Sequence, residues 1–70
     1  MFEDDFYYVE VVKKNNTNAT LRRFDYYEDA FIYFDFATSP LCEFAIVRLY
    51  EGKKLKMLHV NYDNIDINKL

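Results

Sequence analysis

His59 and Cys42 are the one histidine and the one cysteine of this 70-residue chain. They are its obvious candidates for a general base and a nucleophile near neutral pH. A working Cys–His pair also needs a group that orients the imidazole and donors that stabilise developing charge. No recognisable spacing supplies either. His59 therefore reads as a half-buried histidine close to Met57, and Cys42 as a small hydrophobic residue after a helix. The carboxylate pairs Asp4–Asp5, Glu28–Asp29 and Asp63 with Asp66 lack the calcium-loop pattern D-x-[DN]-x-[DN]-G. One Gly cannot build a phosphate-binding loop, and one Cys with one His cannot complete a structural zinc site or an internal disulfide. The expectation is a protein that is not an enzyme and uses no cofactor or metal.

Nucleic-acid chemistry is the other class to weigh. "EFAIVRLY" (43–50) is loosely similar to the RNA-recognition strand signature, but it lacks the leading Lys/Arg-Gly. Ile46 and Leu49 also stand where base-stacking aromatic residues would be needed. Arg22, Arg23, Arg48, Lys53, Lys54 and Lys56 offer a basic strip along two hairpins, which makes a small nucleic-acid-binding protein the alternative reading. The net charge of −3 weighs against it.

The elements that must position these residues follow from periodicity. "FYYVEVVK" (6–13) is β-branched and aromatic and reads as a strand. "KNNTNA" turns, because Asn tolerates the left-handed backbone region, and "TLRRF" (20–24) returns. "CEFAIVRLY" (42–50) and "LKMLHVNY" (55–62) form a second hairpin around "EGKK". Between the hairpins lies "DYYEDAFIYFDFATSP" (25–40). Asp25 is the expected N-cap, with Glu28 completing a capping box, and Pro40 stops the helix near Thr38 or Ser39.

The order ββαββ predicts an α+β fold, a single domain over 1–70 with one helix on a four-stranded, mostly antiparallel sheet. A β-grasp-like order, with the first and fourth strands parallel in the middle, is the first expectation. A sheet with the second and third strands adjacent through a crossover is the alternative. Residues 63–70 are expected to be a loose tail or an added edge.

Seven Phe and seven Tyr exceed what one small core requires. On the helix, Tyr27, Ala30, Phe31, Phe34 and Ala37 share a stripe and are expected to pack on the sheet. Asp29, Ile32, Tyr33 and Phe36 lie off that stripe among acids. On the strands, Tyr7, Val9, Val11, Ala45, Val47 and Leu49 alternate inward. That leaves Phe6, Tyr8, Phe44, Ile46 and Tyr50 on the opposite face, around Glu10 and Arg48. In the fourth strand, Leu58 and Val60 are expected on one face, with Leu55 and Met57 on the other. A sheet with one wet face should be apolar on one side only. The second face is therefore expected to be covered by a twin, a partner or the tail.

The expected function is a non-enzymatic protein–protein interaction module. Its partner would be another protein of basic character, or a second copy in a homodimer, and its surface would be acidic and aromatic-rich. In size and composition the chain resembles the accessory proteins with which phages and other viruses inhibit or redirect host factors. "MFEDDFYY" has neither a basic n-region nor an apolar h-region, and no run approaches a membrane span. With a single cysteine, this favours a cytoplasmic setting and no membrane partner.

Overall fold

The computed structural model describes residues 2–13, 19–39, 42 and 44–61. The expected tail at 63–70, Tyr62 of the fourth strand, most of the "KNNTNA" turn, and Pro40 lie outside them. The described elements are β1 (Tyr7–Lys13), β2 (Ala19–Phe24), α1 (Tyr27–Ala37), β3 (Phe44–Glu51) and β4 (Lys54–Val60). The fold is α+β with order ββαββ: α1 packs on a four-stranded antiparallel sheet.

The strand order is β2-β1-β3-β4, which is neither of the two arrangements expected. β1 and β3 are the central pair and run antiparallel, so β4 is at an edge, and β2 and β3 are parallel strands separated by β1. Charge explains the placement. Arg22 and Arg23 lie on β2, and Lys54 and Lys56 on β4, so among the described residues the strands with the most cations take the two ends of the sheet, where charge opposes further pairing. The more apolar β1 and β3 take the middle. Their register also sets Glu10 opposite Arg48, with a 2.6 Å ion pair between them.

The core lies between α1 and the sheet. Val9 and Val11 of β1, Val47 and Leu49 of β3, and Ala30, Phe34 and Ala37 of α1 form one buried cluster. Tyr7, Phe24, Tyr33, Phe44 and Met57 pack around it. The inward alternation of β1 and β3 is as the sequence predicts. The helix stripe is as expected at Ala30, Phe34 and Ala37, which are buried, but not at Tyr27, 44% exposed, or Phe31, 38% exposed, while Tyr33 packs against the core. Two alanines let the backbone of α1 approach the sheet closely. Tyr27 and Phe31 then lie at the flank, stacked on each other at 6.0 Å, with Tyr27 edge-on to Tyr7 at 5.7 Å.

The helix ends also differ in detail. The N-cap is Tyr26, in extended conformation and without a side-chain cap bond, so the Asp25 capping box does not form. Glu28 and Asp29 still sit in the first turn, where the helix dipole favours acids. At the other end, Thr38 Oγ1 donates to the Asp35 carbonyl at 2.8 Å. The Ser39 N–H and the Cys42 thiol both reach the Phe36 carbonyl, at 3.1 and 3.3 Å.

Two register shifts change which face some residues occupy. Between Leu49 and Tyr50 the partners pass from Met57 to Leu55, skipping Lys56. Such a bulge re-aims the chain. Leu55 therefore lies opposite Tyr50 on the outer face with Leu58, instead of sharing a face with Met57. The second shift, between Val12 and Lys13, sets Phe44 opposite Lys13, and Phe44 packs against the core.

The outer face of the sheet is partly covered by the protein's own N-terminal residues, which the sequence reading did not anticipate. Phe2 meets Tyr8 edge-on at 4.9 Å and Tyr50 at 4.8 Å. The Glu3 N–H donates to the Tyr8 hydroxyl at 2.9 Å, and Gly52 N–H ties the segment down by donating to the Phe6 carbonyl at 2.9 Å. Burial raises the pKa of Tyr50, the Glu10 carboxylate adds to this, and Arg48 opposes it. The Tyr50 hydroxyl lies 3.5 Å from Glu10 Oε1, too long for a strong bond.

A tyrosine that keeps its proton longer in the folded state contributes stability that is complete below the ordinary tyrosine pKa of about 10. That stability is lost as pH rises towards the higher folded value. Tyr50→Phe should therefore flatten the alkaline fall of stability, measured by urea unfolding across that pH range. An unchanged alkaline slope would contradict the assignment.

Candidate protein-interaction surface

Along α1, Ile32 and Phe36 are one turn apart and face away from the buried stripe of Ala30, Phe34 and Ala37. They are 67% and 63% exposed. Tyr33 lies between them and the sheet, 5.6 Å from Phe24 of β2. Together with Asp29, these residues enclose a shallow trough of about 530 Å³ lined by Phe24, Asp29, Ile32, Tyr33 and Phe36. The guanidinium of Arg22 lies over the rings of Tyr33 and Phe24, at 4.8 and 5.7 Å, and braces that wall.

The structure thus brings together Asp29, Ile32, Tyr33 and Phe36, the four helix residues singled out from the sequence. Tyr33 has a double role there, half in the core and half in the trough wall. Phe24 was missed. Its signal was available: period-2 alternation in "TLRRF" puts it on the same face as Thr20 and Arg22, the helix side of β2.

The five sheet residues do not form a matching surface. Tyr8 is only 4% exposed, beneath Phe2, so it is not offered to a partner. Tyr50 is half-buried under the same ring. Phe6 carries the Arg23 guanidinium 4.5 Å from its centroid. Phe44 packs towards the core, and Ile46 is half-buried between Val12 and Val60. The large apolar side chains that this face exposes are aliphatic: Leu21 on β2, and Leu55 and Leu58 on β4.

The charges are segregated. Among the described residues, none of Glu28, Asp29 and Asp35 is in an ion pair. Asp35 is in the last turn of α1, which has no basic residue, so it sits unfavourably at the negative end of the dipole. The cations do not form one strip. Arg22 and Arg23 are on one edge of the sheet and Lys54 and Lys56 on the other, three strand spacings or about 14 Å away. Arg48 pairs with Glu10, and Lys56 with Glu51 at 3.3 Å. Lys53 and Lys54 line a hollow shared with Asp4 and Glu51.

His59 is on β4 opposite Val47, and the Cys42 thiol is engaged at the end of α1. Among the described residues no group of three or more His, Cys, Asp or Glu side chains could hold a metal ion. None of the described helices is long and apolar enough to cross a membrane. No family model, no curated protein and no solved structure matches this chain.

Proposed function

We propose that this protein is a non-enzymatic interaction module that binds another protein through the α1 trough. The observation that carries the reading is the pairing of Ile32 and Phe36. Both are about two-thirds exposed, both lie outside the core cluster, and an apolar hollow adjoins them. Exposed aromatic and aliphatic anchors in a pocket, fringed by charge, are what protein interfaces use for affinity and selection. The more concrete form is an accessory protein of a phage or other virus, acting in the cytoplasm on a host factor. That form rests on chain size and composition alone.

The test is quantitative capture from cells of the native host, with the wild type and an Ile32→Ala/Phe36→Ala variant as parallel baits. Recovery of the specific partner should fall about tenfold or more with the variant, as expected when two anchors are truncated. Equal recovery by both baits would overturn the reading.

A further inference from the structure

We infer that residues 2–5 form a charge-held strap, hinged at Phe6, that opens as a unit while the sheet and α1 stay folded, and so uncovers one continuous apolar face. The strap lies on the opposite side of the sheet from the α1 trough, and the inference is independent of that surface.

The face beneath the strap follows from the strand register. Arg23, Tyr8, Tyr50 and Leu55 lie side by side across the four strands, and Leu21, Glu10, Arg48 and Leu58 form the next row. Leu21, Leu55 and Leu58 are exposed at the ends of these rows. Phe2 sits in the middle, over both tyrosine rings. With the strap closed, the leucines of β2 and β4 are separate patches. With it open, Tyr8 and Tyr50 join them.

The strap is held more lightly than the strands. Its Phe2 ring rests on the two tyrosines, and the Glu3 N–H donates to the Tyr8 hydroxyl at 2.9 Å. Glu3, Asp4 and Asp5 are themselves exposed. By contrast, β1 and β3 are paired on both sides, and their Val9, Val47 and Leu49 are fully buried. Segments with few buried contacts open at lower free energy than the core. Phe6 is the hinge because it is fixed twice. The Gly52 N–H donates to its carbonyl at 2.9 Å, and the Arg23 guanidinium lies 4.5 Å from its ring centroid.

Charge supplies the latch. Asp4 crosses the β3–β4 turn at Gly52, the one glycine of the chain, so closely that a Cβ there would lie 2.8 Å from the Asp4 Cα. The hollow at this crossing is lined by Asp4, Glu51, Lys53 and Lys54. Lys56 engages Glu51 at 3.3 Å, which leaves Lys53 and Lys54 to attract Asp4. Glu3 and Asp5 extend the negative charge on either side of it. These charges act across exposed ground, so salt must weaken the hold.

The test is nuclear magnetic resonance on the full-length chain. Hydrogen exchange of the Glu3 amide reports the bond to Tyr8. Broadening of the Tyr8 and Tyr50 ring signals by a soluble paramagnetic probe reports uncovering. Exchange of the Val9 and Val47 amides reports the fold. Phe2→Ala should speed Glu3 exchange about tenfold and broaden both tyrosine rings, with Val9 and Val47 exchange within about twofold of the wild type. Lys53→Gln/Lys54→Gln should speed Glu3 exchange about two- to fivefold at low salt, and the difference should vanish at about 0.5 M salt.

Equal acceleration of Val9 and Val47 exchange by Phe2→Ala would show that the strap opens only with the whole domain, and would overturn the inference. Tyrosine rings no more accessible in Phe2→Ala would overturn it as well. So would a lysine variant that exchanges like the wild type at low salt, or whose difference persists undiminished at high salt.

Discussion

Leu49→Ala should cost about 2–5 kcal/mol of folding stability, because it deletes a fully buried side chain and leaves a cavity that its neighbours can only partly fill. Leu49 is the largest of the completely buried residues and belongs to the cluster that joins β1, β3 and α1. Its backbone lies beside the β3–β4 bulge, which separates the pairs Leu49–Met57 and Tyr50–Leu55. The strands on either side have limited freedom to close a cavity there without disturbing that register. A domain of this size has a total stability of about 4–10 kcal/mol, so the variant should lose about half of it and unfold at a much lower urea concentration. Urea denaturation followed by circular dichroism measures this. A midpoint within experimental error of the wild type would place the core elsewhere.

Gly52→Ala should also be clearly destabilising, for two independent reasons. Gly52 has a φ of 59°, in the left-handed region where an L-residue costs about 1–2 kcal/mol. A Cβ built there would lie 2.8 Å from the Asp4 Cα and 2.9 Å from Asp4 Oδ1. The Asp4 side chain can turn aside, but its backbone can retreat only if the N-terminal segment lifts. Lifting that segment strains the Gly52-to-Phe6 hydrogen bond and loosens Phe2 from Tyr8 and Tyr50. The expected outcome is a lower unfolding midpoint together with faster chymotrypsin cleavage near Phe2 and Phe6. Loss of stability without faster cleavage would mean that the turn alone is strained and the segment stays in place.

How much of this was legible in the sequence depended on whether the signal was local. Alternation in β1 and β3 identified Val9, Val11, Val47 and Leu49 correctly, because side chains on a strand must change face at every residue. The bulges at Lys56 and after Val12 break that rule through pairing with a distant strand, so Leu55 and Phe44 were assigned to the wrong side. The strand order is a long-range property as well. Its one local hint was the single opposite charge in the middle of each central strand, Glu10 and Arg48. On the helix, periodicity placed Ala30, Phe34 and Ala37 in the core correctly but carried the stripe too far, to Tyr27 and Phe31, which close packing through the two alanines leaves at the flank. The exposed pair Ile32 and Phe36 was not touched by that overextension, since both lie on the far side of α1 from the core. The cover provided by Phe2 had no sequence signal beyond the excess of aromatic residues.

The central claim is that α1 carries a stripe the fold does not use. Its most direct test is the urea-unfolding stability of an Ile32→Ser/Phe36→Ser variant, with Phe34→Ala as the reference. Phe34 is buried, and its truncation should cost about 3–5 kcal/mol. The double variant should stay within about 1 kcal/mol of the wild type, as exposed positions do. A loss approaching that of Phe34→Ala would show that Ile32 and Phe36 belong to the core, and would contradict the claim.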